Sequence, residues 1–133
     1  MSSENVEIVR GGVEAAARND WNAAMACVDP SVEWVEMPSL GPDAATYTGI
    51  EELREAINSW IGMWSEYDVE VARYVDAGDD VVVLFRERGH GGVSGAAVER
   101  ELGEVFTLRN GKVVRVRLYG RWDEALEAAG LRE

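Results

Sequence analysis

Cysteine and histidine are almost missing from this sequence of 133 residues, which contains one of each, Cys27 and His90. A single cysteine excludes a disulfide within the chain and is compatible with a reducing compartment. A zinc site needs several His, Cys or carboxylate ligands at suitable spacing, and the sequence shows no such cluster. We therefore predict that the protein uses neither a metal ion nor another cofactor.

Basic residues are also scarce, because 13 Lys and Arg stand against 25 Asp and Glu, which gives a net charge of -12. Nucleic-acid binding depends on Lys and Arg that neutralise phosphates, so this balance argues against a nucleic-acid partner. Anionic membrane surfaces and substrates with several negative charges would be repelled in the same way. A neutral, apolar or cationic small ligand fits the charge balance best.

Long apolar runs are absent, and no stretch approaches the roughly 20 residues that a membrane-spanning helix needs. The first residues, MSSENVEIVRGG, do not have the basic and then apolar layout of a secretory signal. We therefore expect a cytoplasmic protein without a membrane partner. The length and the 47% hydrophobic content suit one compact domain, residues 1–133, around one core.

Apolar residues at helical spacing predict three helices early in the chain and a short one at its end. These helices are residues 5–19, a short helix capped by Asp20, residues 49–64, and residues 123–130, which Asp123 begins and Gly130 ends. Trp60 and Trp64 both fall on the broad apolar face of the third helix, where they either pack in the core or border a pocket.

Alternating β-formers predict strands at residues 31–37, 68–75 and 81–88, and a hairpin within residues 101–122. In the first strand the two parities compete, and we favour Trp34 and Glu36 facing inward. In the strand 81–88 the arginines are expected outside, which sets Phe85 and Glu87 inside. Helices segregated from strands indicate an α+β fold with a curved, mostly antiparallel sheet wrapped around the N-terminal helices. Such a cone leaves an internal pocket, which we expect to open near the irregular segments 38–47 and 89–95.

The hairpin contains the most informative residue, Glu104. Its turn, Asn110-Gly111, is compatible with a two-residue loop or with a three-residue loop and a bulge. The shorter loop would place Glu104 on the face of Arg115 and Arg117. We predict the longer loop because a slip of one residue is costly where one face is buried. One face then consists of Leu102, Glu104, Phe106, Leu108, Val114, Val116 and Leu118, with Glu104 as its only ionisable group.

Short motifs follow one another in a recognisable order along nearly the whole chain. They are Asn19-Asp20-Trp21, Asp29-Pro30-Ser31-Val32-Glu33-Trp34, Tyr47-Thr48-Gly49, Asp76-Ala77-Gly78-Asp79, Asn110-Gly111-Lys112-Val113 and Glu124-Ala125-Leu126-Glu127-Ala128-Ala129-Gly130. In this combination the chain resembles SnoaL-like proteins of the nuclear-transport-factor-like superfamily, which includes ketosteroid isomerases and polyketide cyclases. The resemblance implies the cone fold, on which isomerases, cyclases, hydrolases and non-catalytic binders all occur.

The resemblance also implies roles for two glutamates. In the isomerase branch, a carboxyl group on the strand before the last hairpin turn stays protonated and donates to a developing oxyanion, and Glu104 occupies the matching position. The base of that branch ends the first strand before a proline, whereas Glu36 lies one residue too early relative to Pro38. Gly12 stands where that branch has a tyrosine, which argues against a true ketosteroid isomerase.

Three hypotheses for the function remain open: binding of an apolar, neutral small molecule without catalysis, acid-base catalysis of the isomerase or cyclase type, and a structural or interaction role. For catalysis, Glu36, Glu87 and Glu104 would converge in an aromatic cavity, so that one acid is protonated beside an ionised base. The candidate ligand-binding residues are Trp34, Tyr47, Trp60, Trp64, Phe85, Phe106, Val116 and Leu118.

A homodimer is expected through the outer face of the sheet. That face should carry Val82, Leu84, Arg86, Arg88, Glu99, Glu101, Val105, Thr107, Val113, Arg115, Arg117 and Tyr119. This face is too apolar to be exposed to solvent, and it also holds opposite charges within reach of one another across the strands. The resemblance implies the same arrangement, since such domains commonly pair through their sheets.

Overall fold

A computed structural model describes residues 2–91 and 95–131 of the chain. In chain order, the elements are α1 (Ser2–Ala17), α2 (Trp21–Met25), β1 (Val28–Glu36), a 3₁₀ turn (Pro38–Leu40), β2 (Thr46–Thr48), α3 (Ile50–Gly62), β3 (Trp64–Ala77), β4 (Asp80–Gly91), β5 (Ala96–Arg109), β6 (Lys112–Tyr119) and α4 (Trp122–Ala128). None of the helices in these two ranges is long and apolar enough to cross a membrane.

The six strands form one curved sheet in the order β2-β1-β6-β5-β4-β3. Only the β1–β6 pair is parallel among these neighbours, since the other four pairs run antiparallel. The helices α1 and α3 pack on the inner face, where the main core includes Val9, Leu53 and Val32. This architecture confirms the α+β prediction of a curved sheet around the N-terminal helices.

The turn of the last hairpin differs from the prediction, although the expected face of Glu104 is correct. Arg109 pairs with Lys112 across a two-residue loop in which Asn110 and Gly111 have φ angles of 54° and 77°. Such a loop with two positive φ angles matches the twist of the flanking strands. The extra residue lies within β6 instead, at Val114.

The bulge at Val114 restores the register that the short loop alone would have lost. Leu108 pairs with Val113 and Thr107 pairs with Arg115, so Val114 has no partner on β5. Compared with a regular strand, one unpaired residue moves the side chains of all later residues to the opposite face of the sheet. Beyond the bulge, the inward side chains of β6 are therefore the predicted ones, but before it Val113 faces the core where Val114 was expected. Val113 is therefore also absent from the outer face to which we assigned it.

Two segments predicted as helix and loop are strand in the structure. The third helix ends at Gly62, and Trp64 is the first residue of β3, so the helical spacing of Trp60 and Trp64 is coincidental. At the other end of the sheet, β4 continues to Gly91, and His90 pairs with Ala97 of β5. The expected loop 89–95 is thus partly strand, and its residues 92–94 lie outside the described residues.

The outer face of the sheet is covered in part by α4. Ala125 and Leu126 of this helix pack on Val82, Leu84, Val105 and Tyr119. Gly103 permits the close approach, because a Cβ atom there would lie 2.6 Å from the Cβ of Ala125. The helix begins at Trp122 with Arg121 as its N-cap, so Asp123 is not the cap that we predicted, whereas Gly130 ends the helix with a φ of 79°. The apolar patch on which we based the dimer is therefore buried within the same chain.

Candidate functional site

A cavity of about 540 Å³ lies between the helices α1, α2 and α3 and the inner face of the sheet. Most of its lining is apolar, and aromatic side chains contribute from both the sheet and the helices. The exposed residues of the lining gather where α1 and α3 end and β3 begins; they are Ala17, Asn19, Ile61, Asp68 and Val69. We refer to these five residues as the cavity mouth.

Most of the site residues predicted from the sequence line this cavity. They are Trp34, Glu36, Trp60, Phe85, Glu104, Phe106, Val116 and Leu118. Three others do not line it: Glu87 is buried behind the cavity wall, Tyr47 borders a second, smaller cavity, and Trp64 borders neither. Trp64 instead packs on Gly89, where a Cβ atom would lie 2.8 Å from the Trp64 ring.

Strand register brings Glu36 and Glu104 to one row across the inner face of the sheet. Glu36 pairs with Leu118 on β6, and Leu118 pairs with Glu104 on β5. The two glutamates are therefore separated by two strand spacings, roughly 10 Å at the backbone. A small molecule in the cavity has both carboxyl groups on one of its sides.

Glu104 is the polar group that the cavity isolates most strongly. Its side chain is 8% exposed and lies between Val83 and Leu118 in the sheet. It has no hydrogen bond or ion pair with any residue in the two described ranges. Burial, and next to it the charge of Glu87, raise the pKa of Glu104 to about 8. At neutral pH Glu104 is thus a protonated acid whose O–H group is free to donate into the cavity.

Glu87 has the opposite situation, because it is fully buried but well partnered. Its Oε2 atom accepts hydrogen bonds from Trp60 Nε1 at 2.5 Å and from the Tyr67 hydroxyl at 2.7 Å. The Nε of Arg100 lies 3.7 Å from Oε1, which accepts no hydrogen bond. Burial raises the pKa of Glu87, while the hydrogen bonds from Tyr67 and Trp60 and the charge of Arg100 oppose this rise. Glu87 is therefore a structural partner that orients two residues of the cavity wall.

Glu36 is half-buried, and both of its oxygens accept hydrogen bonds. Oε2 accepts from Trp34 Nε1 at 3.3 Å, and Oε1 accepts from the backbone N–H of Ala45 at 3.2 Å. These two donors hold the carboxyl group at the end of β1, where it borders the main cavity. Glu36 is thus fixed as an acceptor on the same row as the donor Glu104.

A family model described as SnoaL-like domain matches residues 9–116 of the chain. The protein belongs to the SnoaL-like family. Ligand-binding proteins, cyclases and isomerases all occur on this fold, so membership does not decide between binding and catalysis. No curated protein matches the chain.

Solved structures with the same fold cover nearly the whole SnoaL-like chain. An NTF2-like protein from Burkholderia thailandensis is 27% identical, with a TM-score of 0.78 over 96% of this chain and 98% of its own. A Catenulispora acidiphila protein with a ketosteroid isomerase-like fold, solved in complex with trimethylamine, is 21% identical, with a TM-score of 0.69 over 95% and 94%. TerC, co-crystallised with polyporic acid, is 19% identical, with a TM-score of 0.75 over 96% and 98%. The similarity to the Catenulispora acidiphila protein and to TerC shows only a shared fold.

The second cavity of the SnoaL-like chain, of about 250 Å³, lies on the other side of α3. It is bordered by the irregular segment after the 3₁₀ turn, by Tyr47 and Met63, and by Arg100. Three residues, Glu36, Leu40 and Trp60, border both cavities. The segment 38–47, which we predicted as the ligand access, therefore borders the smaller cavity, whereas none of its residues belongs to the cavity mouth.

Two of the three partners of Glu87, Tyr67 and Arg100, were not predicted from the sequence. Tyr67 follows Glu66, whose φ of 54° interrupts the alternation at the start of β3. Arg100 pairs directly with Glu87 between β4 and β5 and is the residue that an inward Glu87 requires on the next strand. The pairing of these two strands would have been the signal for Arg100, but the hairpin was predicted only within residues 101–122. Within the described parts of the SnoaL-like chain, no group of three or more His, Cys, Asp or Glu is arranged to hold a metal.

Proposed function

We propose that this protein binds a small, neutral and largely apolar molecule that carries a hydrogen-bond acceptor, and that Glu104 donates to that acceptor. The proposal depends on one observation above all: Glu104 is a buried carboxyl group without a partner among the described residues, inside an apolar cavity. A buried donor without a partner is costly for the fold. A ligand acceptor such as a carbonyl oxygen would satisfy it.

Size and charge support this choice of ligand. A volume of about 540 Å³ lies within the usual range of roughly 300–1,000 Å³ for small-molecule sites. An anionic ligand would meet the negative charge of the whole chain, so a neutral molecule fits better. Two proteins of the same fold were crystallised with small molecules, trimethylamine and polyporic acid.

A pair of matched ligands tests the proposal. 2-Acetylnaphthalene carries a carbonyl acceptor, whereas 2-ethylnaphthalene has nearly the same shape and none. We expect the protein to bind the ketone more tightly by roughly 2- to 12-fold, the net effect of one hydrogen bond. Affinities are measured by displacement of the neutral fluorescent probe N-phenyl-1-naphthylamine.

The control variant is Glu104→Leu, which removes the donor and puts an apolar side chain of similar size in its place. It should bind the two naphthalenes about equally well. A wild-type protein without preference for the ketone, or a Glu104→Leu variant that retains the preference, would contradict the role assigned to Glu104. No binding of any of the three compounds would refute the proposed function itself.

Acid-base catalysis is the second candidate, and the shared row of Glu36 and Glu104 favours it. Glu36 would take a proton from the carbon next to the carbonyl, while the Glu104 O–H donates to the carbonyl oxygen. The same proton can then return to this carbon or to a neighbouring one, as isomerisation requires. In D₂O, NMR should show deuterium entering the methyl group of 2-acetylnaphthalene faster with protein than without. Glu36→Gln should abolish this acceleration, and its persistence in that variant would exclude Glu36 as the base.

A further inference from the structure

Trp60 separates the two cavities. Its side chain borders the main cavity on one side and the smaller cavity on the other, together with Leu40 and Glu36 at the edges of the partition. It projects from α3, the helix that runs between the two cavities. A bulky side chain in this position decides whether the two spaces are separate or continuous.

The indole of Trp60 is held in place by groups behind the main cavity. Its Nε1 donates to the fully buried Glu87 at 2.5 Å. The guanidinium of Arg100 lies 5.3 Å from the ring centroid, within the range of a cation-π contact. Arg100 in turn donates to the backbone oxygen of Leu40 at 3.0 Å, so the residue that packs on the Trp60 ring is itself held by Leu40. These contacts make the partition a fixed wall.

We propose that Trp60 sets the maximum length of the ligand by closing the main cavity against the smaller one. This inference rests on the proposed function and extends it to specificity. A ligand anchored by its carbonyl at Glu104 is limited by the indole in the direction of the smaller cavity. With the indole removed, the tail of a longer neutral ketone would continue along Leu40, Ala56 and Met63, which provide apolar surface in the smaller cavity.

A series of 2-acylnaphthalenes with acetyl, butanoyl, hexanoyl and octanoyl chains tests the proposal. All members share the ring and the carbonyl, and only the length of the chain differs. For the wild-type protein, we expect affinity to rise with chain length and then to stop rising or to fall. For Trp60→Ala, affinity should continue to rise beyond that length by about fourfold for each added methylene, the gain expected from full burial.

Trp64→Ala is the matched control for this substitution. Trp64 is also a tryptophan, its ring centroid lies 6.3 Å from that of Trp60, and it borders neither cavity. Its loss should change the stability of the protein but not the acyl-chain length at which affinity stops rising. Trp60→Phe keeps an aromatic ring and loses the hydrogen bond to Glu87, so it separates bulk from hydrogen bonding and should retain most of the limit. If Trp60→Ala does not fold, Trp60→Leu makes the same test with a larger apolar side chain.

Different results overturn different parts of the argument. A wild-type protein that binds no acylnaphthalene would refute the proposed function, and this inference with it. A wild-type protein that binds the short ketones, with an unchanged length limit in Trp60→Ala or Trp60→Leu, would refute only the role of Trp60. The same holds if Trp64→Ala shifts the limit as much as Trp60→Ala does, or if the wild-type protein shows no limit.

Discussion

Replacing Glu104 by Gln should make the protein more stable at neutral pH, because the carboxyl group is held neutral at a cost. Its pKa is about 8 in the fold against an ordinary value of 4.5. When the folded pKa of an acid is raised, its contribution to stability is fully present below the unfolded pKa and is lost as pH rises to the folded pKa. The wild-type protein should therefore lose roughly 1.4 kcal/mol per pH unit, relative to the variant, between about pH 5 and pH 8.

At pH 7 the raised pKa of Glu104 has lowered the free energy of unfolding by about 3 kcal/mol relative to low pH, since pH 7 lies roughly 2.5 units above the unfolded pKa. The buried amide of Glu104→Gln lacks partners in the same way as the protonated carboxyl group, so this cost falls on both proteins. The two proteins should thus be close in stability at pH 5, and the variant should be more stable by about 3 kcal/mol at pH 7. The difference between them isolates Glu104 from the other carboxyl groups of the chain.

Urea unfolding followed by tryptophan fluorescence, at fixed pH values from 5 to 8, measures this difference. Glu104→Leu is a second variant without a titrating group, so its difference from the wild type should have the same pH slope with another offset. A flat difference over this range would show that the pKa of Glu104 is not raised. A wild-type protein that gains stability over the variants as pH rises would show a lowered pKa and an ion pair, and would refute the neutral acid.

The remaining predictions concern packing and assembly. Tyr67→Phe removes a hydroxyl that donates to the buried Glu87, and should lower the free energy of unfolding by about 1–3 kcal/mol; an unchanged value would show that the bond has no net effect. Gly103→Ala should also destabilise, because its new Cβ would lie 2.6 Å from the Cβ of Ala125, and Ala125→Gly should restore part of the loss if contact with α4 is the cause. We further propose that the protein dimerises through the part of the outer sheet face beside α4, and sedimentation giving a monomer at micromolar concentration would contradict this.

The sequence was sufficient to predict Glu104 because the rule that applies to it is local and strict. Side chains alternate along a strand, and the register of the hairpin decides whether Glu104 shares a face with Val116 and Leu118 or with Arg115 and Arg117. The same alternation placed Trp34, Phe85 and Glu87 on the inner side, where each of them is buried. Patterns of period two therefore predicted most of the sheet side of the candidate site.

The sequence was not sufficient to predict the structure where a strand residue continued the spacing of a helix. It was also not sufficient where an element distant in the sequence buried a residue. Trp64 continues the helical spacing of α3, yet the chain leaves the helix at Gly62, and spacing alone could not show this. The apolar stripe of Val82, Leu84 and Val105 predicted an uncovered face, because nothing local indicates that α4 returns to cover it. Whether a buried glutamate has a partner is also a tertiary property, and it distinguishes Glu87 from Glu104 only in the folded chain.

The unpaired Val114 has a consequence for which molecules the cavity accepts. It lies between the hairpin turn and the part of β6 that contributes Val116 and Leu118 to the lining. If Val114 were instead paired with β5 like an ordinary strand residue, the rest of β6 would turn over, and Arg115 and Arg117 would lie on the inner row beside Glu104. The wall of the cavity would then carry two guanidinium groups, which suit anions. The neutral ligand that we propose thus depends on the spacing of residues along β6 as much as on the identity of the residues that line the cavity.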